Sequence, residues 1–369
     1  MDVTASTIRR ISVIGVAETI ILLTVSIALL PLGYPKTHAR LMAYTVLPLF
    51  VYSVAMVYLA SSRPRHEKTI YPLLILFLAL YALLPLTVLS GFTLLQHYYG
   101  AVSILSSAPF FIGGASKKGS LRLSLLLLGF SMLQTGVILL SAARVLGADF
   151  YPPKLGLLAL IGYPVTAIYA VSIHAVPRTY KAQPHGIASA LLVLLLLSGL
   201  TSFTAGYYKI SLTLYALSLL VYPLSIKLYR LNEWLRETST KKSPGRPGNL
   251  YFLYGHIFVA LFSLISAYAV AGFALGYIGN VFTAIHLVAM GFIGVHIYIH
   301  APMMLPVVVG VATKRRYTML PFILLLLATL VWPLNGPLSL LLFLLSLCRT
   351  LDIILGFVPE NLYRPFMIK

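Results

Sequence analysis

Apolar residues run along this chain in blocks of about twenty, separated by short polar breaks, from one end to the other. A helix rises 1.5 Å per residue and needs roughly 20 apolar residues to cross the hydrocarbon of a bilayer, so blocks of this length read as membrane spans. Twelve can be marked, at about 11–32, 39–60, 70–95, 97–115, 121–146, 154–176, 186–206, 208–229, 251–275, 280–310, 318–334 and 337–358. The pattern predicts an all-α polytopic membrane bundle of about 12 helices, with residues 1–369 as a single membrane domain. Within it, helices 1–8 at 11–229 are joined to helices 9–12 at 251–358 by a polar connector, 230–250, that contains Ser-Pro-Gly-Arg-Pro-Gly.

Composition agrees with the pattern. Of the 369 residues, 59% are hydrophobic and 9% charged, and this balance excludes a water-soluble domain. Mean hydropathy is +0.93.

Charge then adds a direction. Twenty-seven Lys and Arg against eight Asp and Glu give +19, a balance that in a soluble protein would point to nucleic acid. Here 21 of the 27 cations fall at the termini or after even-numbered helices, in Arg9/Arg10, Arg63/Arg65/Lys68, Lys117/Lys118/Arg122, Arg178/Lys181, 227–246, Lys314/Arg315/Arg316 and Arg364/Lys369. Lys36, Arg40, Arg144, Lys154 and Lys209 lie toward the other side, and Arg349 lies within a span. An even helix count with both termini cytoplasmic satisfies the positive-inside rule at every loop, so the partner expected is the lipid bilayer of the cell membrane and not nucleic acid. The apolar run behind Arg9/Arg10 is too long for a signal peptide and lacks a small-residue cleavage site, so it reads as helix 1.

One cysteine, Cys348, leaves neither a disulfide framework nor a cysteine metal site, and metal chemistry must therefore use histidine. An ionisable residue inside a span is costly and marks a functional site by default. His38 lies 22 residues from Ala60 on helix 2, and His286 lies 24 residues from Gly310 on helix 10. Both therefore sit roughly 33–36 Å above the basic ends of their helices, at one level in the outer part of the membrane. Two imidazoles so placed can clamp a haem iron from both faces, or can be separate interfacial histidines bonded to backbone or water.

The flanking residues bear on that choice. Helix 2 opens Thr37-His38-Ala39-Arg40-Leu41-Met42 with Pro48 further on; helix 10 reads His286-Leu-Val-Ala-Met290-Gly291-Phe292, followed by Pro306 and Gly310; helix 6 contains Gly162-Tyr163-Pro164-Val165-Thr166-Ala167. These segments and the helix count resemble subunit I of the haem-copper oxidase superfamily. The resemblance implies a low-spin haem b held by His38 and His286, with Arg40 as a partial substitute for the family's propionate-binding arginines. Those arginines are absent from Trp332-Pro-Leu-Asn-Gly-Pro337. It also implies that the oxygen-reducing centre is missing. Tyr163 stands at the copper-ligand position, Ala167 at the cross-linking tyrosine and Ala284 at the high-spin haem ligand, while helix 7 has no histidine. No copper is expected, and the chain reads as a degenerate member without oxidase or reductase catalysis.

Lower on helix 10, His296 and His300 share a face, and His300 lies 14 residues from His286. That separation is about 21 Å along the helix and about 40° around it, a spacing that resembles stacked-haem helices of cytochrome b. A second haem would need His256 or His174 as partner; the alternative is histidines bonded within the bundle or lining a polar cavity. Glu18 on helix 1 and Arg349 with Asp352 on helix 12 predict an ion cluster joining the first and last helices, with a proton path as the functional alternative. Met290, Met303 and Met304 read as packing.

Three functions fit these readings. The first is a membrane b-type cytochrome, the electron-transfer subunit of a respiratory complex, dependent on redox partner subunits. The second is a haem-copper protein of the NnrS type, linked to nitric oxide stress, in which His296, His300 or His97 would bind a further metal. The third is a cofactor-free transporter; the chain's one internal echo, Gly162…Ile168-Tyr169…Pro177 against Gly291…Ile297-Tyr298…Pro306, joins two even-numbered helices 129 residues apart and does not define halves of six.

Overall fold

A computed structural model describes residues 3–146, 152–241, 245–309 and 317–356. Every regular element among them is helical, and there is no β-strand. In hydrocarbon each backbone N–H and C=O must be satisfied within its own segment, which long helices achieve. Among the described residues ten helices are long and apolar enough to cross a membrane: Ala5–Ala28, Pro35–Ser61, Glu67–Val88, Gly119–Leu146, Pro153–Thr179, Gly186–Thr204, Tyr208–Thr240, Arg246–Leu275, Val281–Pro302 and Gly336–Ile354. The protein is a multi-pass helical membrane protein.

Ten of the twelve expected segments are among these long helices, and the other two hold shorter helices. The segment expected at 97–115 begins at Phe92 and is interrupted at Ser107, giving helices Phe92–Ser106 and Ala108–Ala115. Pro109 explains the interruption, because it lacks the N–H that would continue the ladder. The segment expected at 318–334 holds only a 12-residue helix, Leu320–Val331, which stops before Trp332-Pro333. The end of the third span also moves. Gly91, at φ 116° and ψ 156°, separates Leu84–Ser90 from Phe92–Ser106, a backbone conformation that only glycine adopts without strain.

The connector expected to be a polar loop is partly helical. Leu231–Thr240 forms a helix whose Trp234 and Thr238 are buried while Asn232, Glu233, Arg236 and Glu237 are exposed. Its inner face packs on the helix Arg246–Leu275.

The chain forms two compact units, Met1–Pro184 with Leu196–Leu214, and His185–Leu195 with Tyr215–Lys369. The division falls within the helices Gly186–Thr204 and Tyr208–Ser225, not at the 230–250 connector. In each unit helices approach closely at small residues, the usual device where no hydrophobic effect drives association. In the first unit a side chain at Gly136 would meet the Gly100 carbonyl at 2.6 Å, and in the second one at Gly255 would meet Ile299.

Three helices contain a π-helical turn: Met42–Val46, Ile161–Val165 and Leu287–Ile293. Each widened turn breaks the i→i−4 ladder and leaves carbonyls to be satisfied by side chains. Thr45 Oγ1 donates to the Leu41 carbonyl. Gln134 Nε2 donates to the Gly162 carbonyl and, at 2.8 Å, to Thr166 Oγ1. Ser266 Oγ donates to the Leu287 carbonyl at 3.0 Å.

Candidate functional site

The three π-helical turns coincide with the three motifs read from the sequence. Met42–Val46 begins four residues after His38, Ile161–Val165 contains Gly162-Tyr163-Pro164, and Leu287–Ile293 begins directly after His286. Such turns recur at functional sites because they rotate the side chains that follow relative to those that precede.

In the first unit His38 lies in the opening turn of the helix Pro35–Ser61 and is half-buried. Its Nδ1 donates to the Ser26 carbonyl at 2.9 Å, while Ser26 Oγ donates back to the His38 carbonyl at 3.3 Å. Ser26 is fully buried, so this two-point clamp fixes the histidine against the end of the first helix. With Nδ1 protonated, a neutral ring carries its lone pair on Nε2. Arg40, two residues further on, places its guanidinium 5.6 Å from the centre of the Phe92 ring.

In the second unit His286 closes the short helical turn Val281–His286, which Asn280 caps by accepting from the Phe282 N–H at 2.9 Å. His286 Nδ1 donates to the Phe282 carbonyl at 2.8 Å, again assigning the ring lone pair to Nε2. Its face is stacked on the Trp332 indole, with centroids 3.7 Å apart and planes 18° apart. His38 and Arg40 thus belong to one unit and His286 to the other.

The histidines of the expected second site divide similarly. His174, in the first unit, bonds through Nδ1 to Ser120 Oγ at 2.9 Å and stands edge-on to Tyr58. His256, His296 and His300 are neighbours in the second unit. The Phe252 ring lies 4.4 Å from the His256 ring and 5.5 Å from that of His300, and the His296 and His300 rings are nearly parallel at 6.4 Å. His296 is held at both nitrogens, donating from Nδ1 to the Phe292 carbonyl at 2.7 Å and accepting at Nε2 from the Tyr222 hydroxyl at 2.8 Å. His256 donates to the Phe252 carbonyl, and its buried Nε2 has no hydrogen-bond partner among the described residues. Among the described residues no three His, Cys, Asp or Glu side chains converge on a point that would hold one metal ion. His97 is exposed and bonds through Nδ1 to the Thr93 carbonyl at 2.8 Å.

Ala284 is fully buried and Ala167 nearly so. Tyr163 belongs to a buried tyrosine cluster that the sequence reading missed. Its ring is 6.2 Å from that of Tyr81, which stacks on Tyr52 at 4.7 Å and meets Tyr99 edge-on at 6.2 Å. Chain order gives no signal for this cluster, because its members come from four separate helices.

Arg349 and Asp352 form the expected buried ion pair on the last helix. Glu18 is half-buried in the other unit. The basic residues at 314–316, 364 and 369 lie outside the described residues, as do the side chains of Met303 and Met304.

No family model, curated protein or solved structure matches this chain.

Proposed function

We propose that the chain is a membrane b-type cytochrome, an electron-transfer subunit holding one low-spin haem between His38 and His286. The supporting observation is shared by the two histidines: each donates Nδ1–H to a backbone carbonyl, which leaves Nε2 as the iron-directed nitrogen, and each precedes a π-helical turn. A neutral imidazole oriented by a carbonyl is the ligand form that haem iron requires, so the donor set fits the group. Bound there, haem would supply a one-electron couple. His38 and His286 would hold the haem, and the chemistry it would supply there is electron transfer. Ser26 and the Phe282 carbonyl orient the ligands, Trp332 fixes the plane of His286, and Arg40 offers a cation to the propionates. On this reading the basic loops and both termini face the cytoplasm, the haem lies toward the outer face of the cell membrane, and partner subunits supply and remove electrons. The test is an optical spectrum and pyridine haemochrome assay of the purified protein, with His38→Ala and His286→Ala each abolishing the low-spin bands.

A cofactor-free transporter is the second reading, favoured by one observation. Gly162 and Gly291, which align in the internal echo, each lie in a π-helical turn, one in each unit. Interrupted helices at corresponding positions are how transporters build substrate sites. Protein purified from haem-supplied cells without a haem spectrum would favour it.

A further inference from the structure

Three residues other than glycine have a positive φ among the described residues: Arg63 at 49°, Lys181 at 54° and Lys227 at 61°. All three are cations just beyond the end of an apolar helix, after Leu47–Ser61, Thr166–Thr179 and Tyr208–Ser225. The left-handed conformation costs a residue with a side chain roughly 1–2 kcal/mol, and glycine normally fills this capping position. The chain also uses glycine in this conformation, at Gly33, Gly91, Gly119, Gly206, Gly276 and Gly356, with Gly119 in the loop after Ala115. At Arg63 a cation is kept where the local geometry asks for glycine.

Arg63 is exposed, and its carbonyl accepts from Lys117 Nζ at 2.7 Å, tying the loop after Ser61 to the loop after Ala115. These two loops carry Arg63, Arg65, Lys68, Lys117, Lys118 and Arg122 against one acid, Glu67. None of the six is in an ion pair among the described residues. Ile112, one turn before Ser116, is exposed on the flank of the helix below.

We propose that the 61–68 and 115–122 loops form a binding site for the phosphate of an anionic phospholipid, centred on Arg63 and Lys117. The ends of membrane helices lie at headgroup level, where a phosphodiester is the abundant anion. The Arg63 fork matches phosphate oxygens in pairs, while Lys117, held by one of its three protons, retains two for the ligand. Each cation at such a surface adds about 1 kcal/mol of attraction to anionic lipid. The apolar flank at Ile112 gives the acyl chains a surface continuous with the site, which a soluble anion would not use.

Arg63→Gly separates charge from backbone, because glycine suits the φ of 49° and removes only the side chain. Thermal unfolding is measured in nanodiscs of phosphatidylcholine alone and of phosphatidylcholine with phosphatidylglycerol, and retained phosphatidylglycerol is counted by native mass spectrometry. The wild-type midpoint should rise by about 2–4 °C with the anionic lipid. Arg63→Gly and Lys117→Gln should lose most of that rise and retain less phosphatidylglycerol, with Arg63→Gly no less stable than wild type in phosphatidylcholine alone. An equal rise in Arg63→Gly, or no rise in wild type, would overturn the proposal. So would an equal rise produced by inorganic phosphate in phosphatidylcholine nanodiscs, which would identify a soluble anion as the ligand.

Discussion

His286 and Trp332 lie face to face, their ring centroids 3.7 Å apart and their planes within 18°. The indole therefore restricts rotation of an imidazole whose Nδ1 is already fixed by the Phe282 carbonyl. In the cytochrome reading this pair would hold His286, one of the two residues proposed to bind haem, in a single orientation. Trp332→Ala should leave the protein folded but lower haem retention during purification, and Trp332→Phe should restore part of it. Haem content per polypeptide after size exclusion is the measurement, and equal content in all three proteins would remove Trp332 from the site.

Gln134 bridges the widened turn of helix 6 by donating to both the Gly162 carbonyl and Thr166 Oγ1. Gln134→Leu removes this buried donor from both acceptors and should destabilise the protein by about 1–3 kcal/mol. A Gln134→Leu thermal midpoint in detergent equal to wild type would show that the π-helical turn does not depend on this bridge.

The Arg349–Asp352 pair is almost wholly buried. Removing one partner strands the other charge, so Arg349→Leu or Asp352→Leu alone should each cost about 3–5 kcal/mol. The double substitution should cost less than either single one. Unfolding in detergent checks the order, and additive losses would argue against direct coupling.

Gly136 packs against backbone, where a side chain would meet the Gly100 carbonyl at 2.6 Å, whereas one at Gly245 would find only Asn249 at 4.0 Å. Gly136→Ala should therefore sharply reduce the yield of folded protein, and Gly245→Ala should leave it unchanged. Fluorescence-detected size exclusion of the two variants compares them directly.

Much of the fold was legible in the chain, because spans in a bilayer are dictated by a single variable, the length of the apolar run. Ten of the expected spans stand as long apolar helices. Where the reading slipped, a local residue decided: Pro109 interrupted one helix, and Gly91 moved a boundary that hydropathy alone placed several residues late. The amphipathic helix Leu231–Thr240 was hidden because its polar face lowers the average hydropathy of a short stretch. The site was legible only in part. His38, His286 and Gly162-Tyr163-Pro164 stood out, yet the π-helical turns beside them depend on caps such as Gln134 and Ser266 that come from other helices. The Trp332 stack likewise joins residues 46 positions apart in sequence, a contact that no local period announces.

The central claim is that His38 and His286 ligate one haem, and the most direct test is the reduced-minus-oxidised spectrum of purified wild type, His38→Ala, His286→Ala and His300→Ala, each quantified by pyridine haemochrome. The account predicts about one haem b per wild-type chain with sharp low-spin bands, loss of those bands in His38→Ala and in His286→Ala, and their retention in His300→Ala. A wild-type protein without haem, or bands that vanish in His300→Ala while surviving in His38→Ala and His286→Ala, would contradict it.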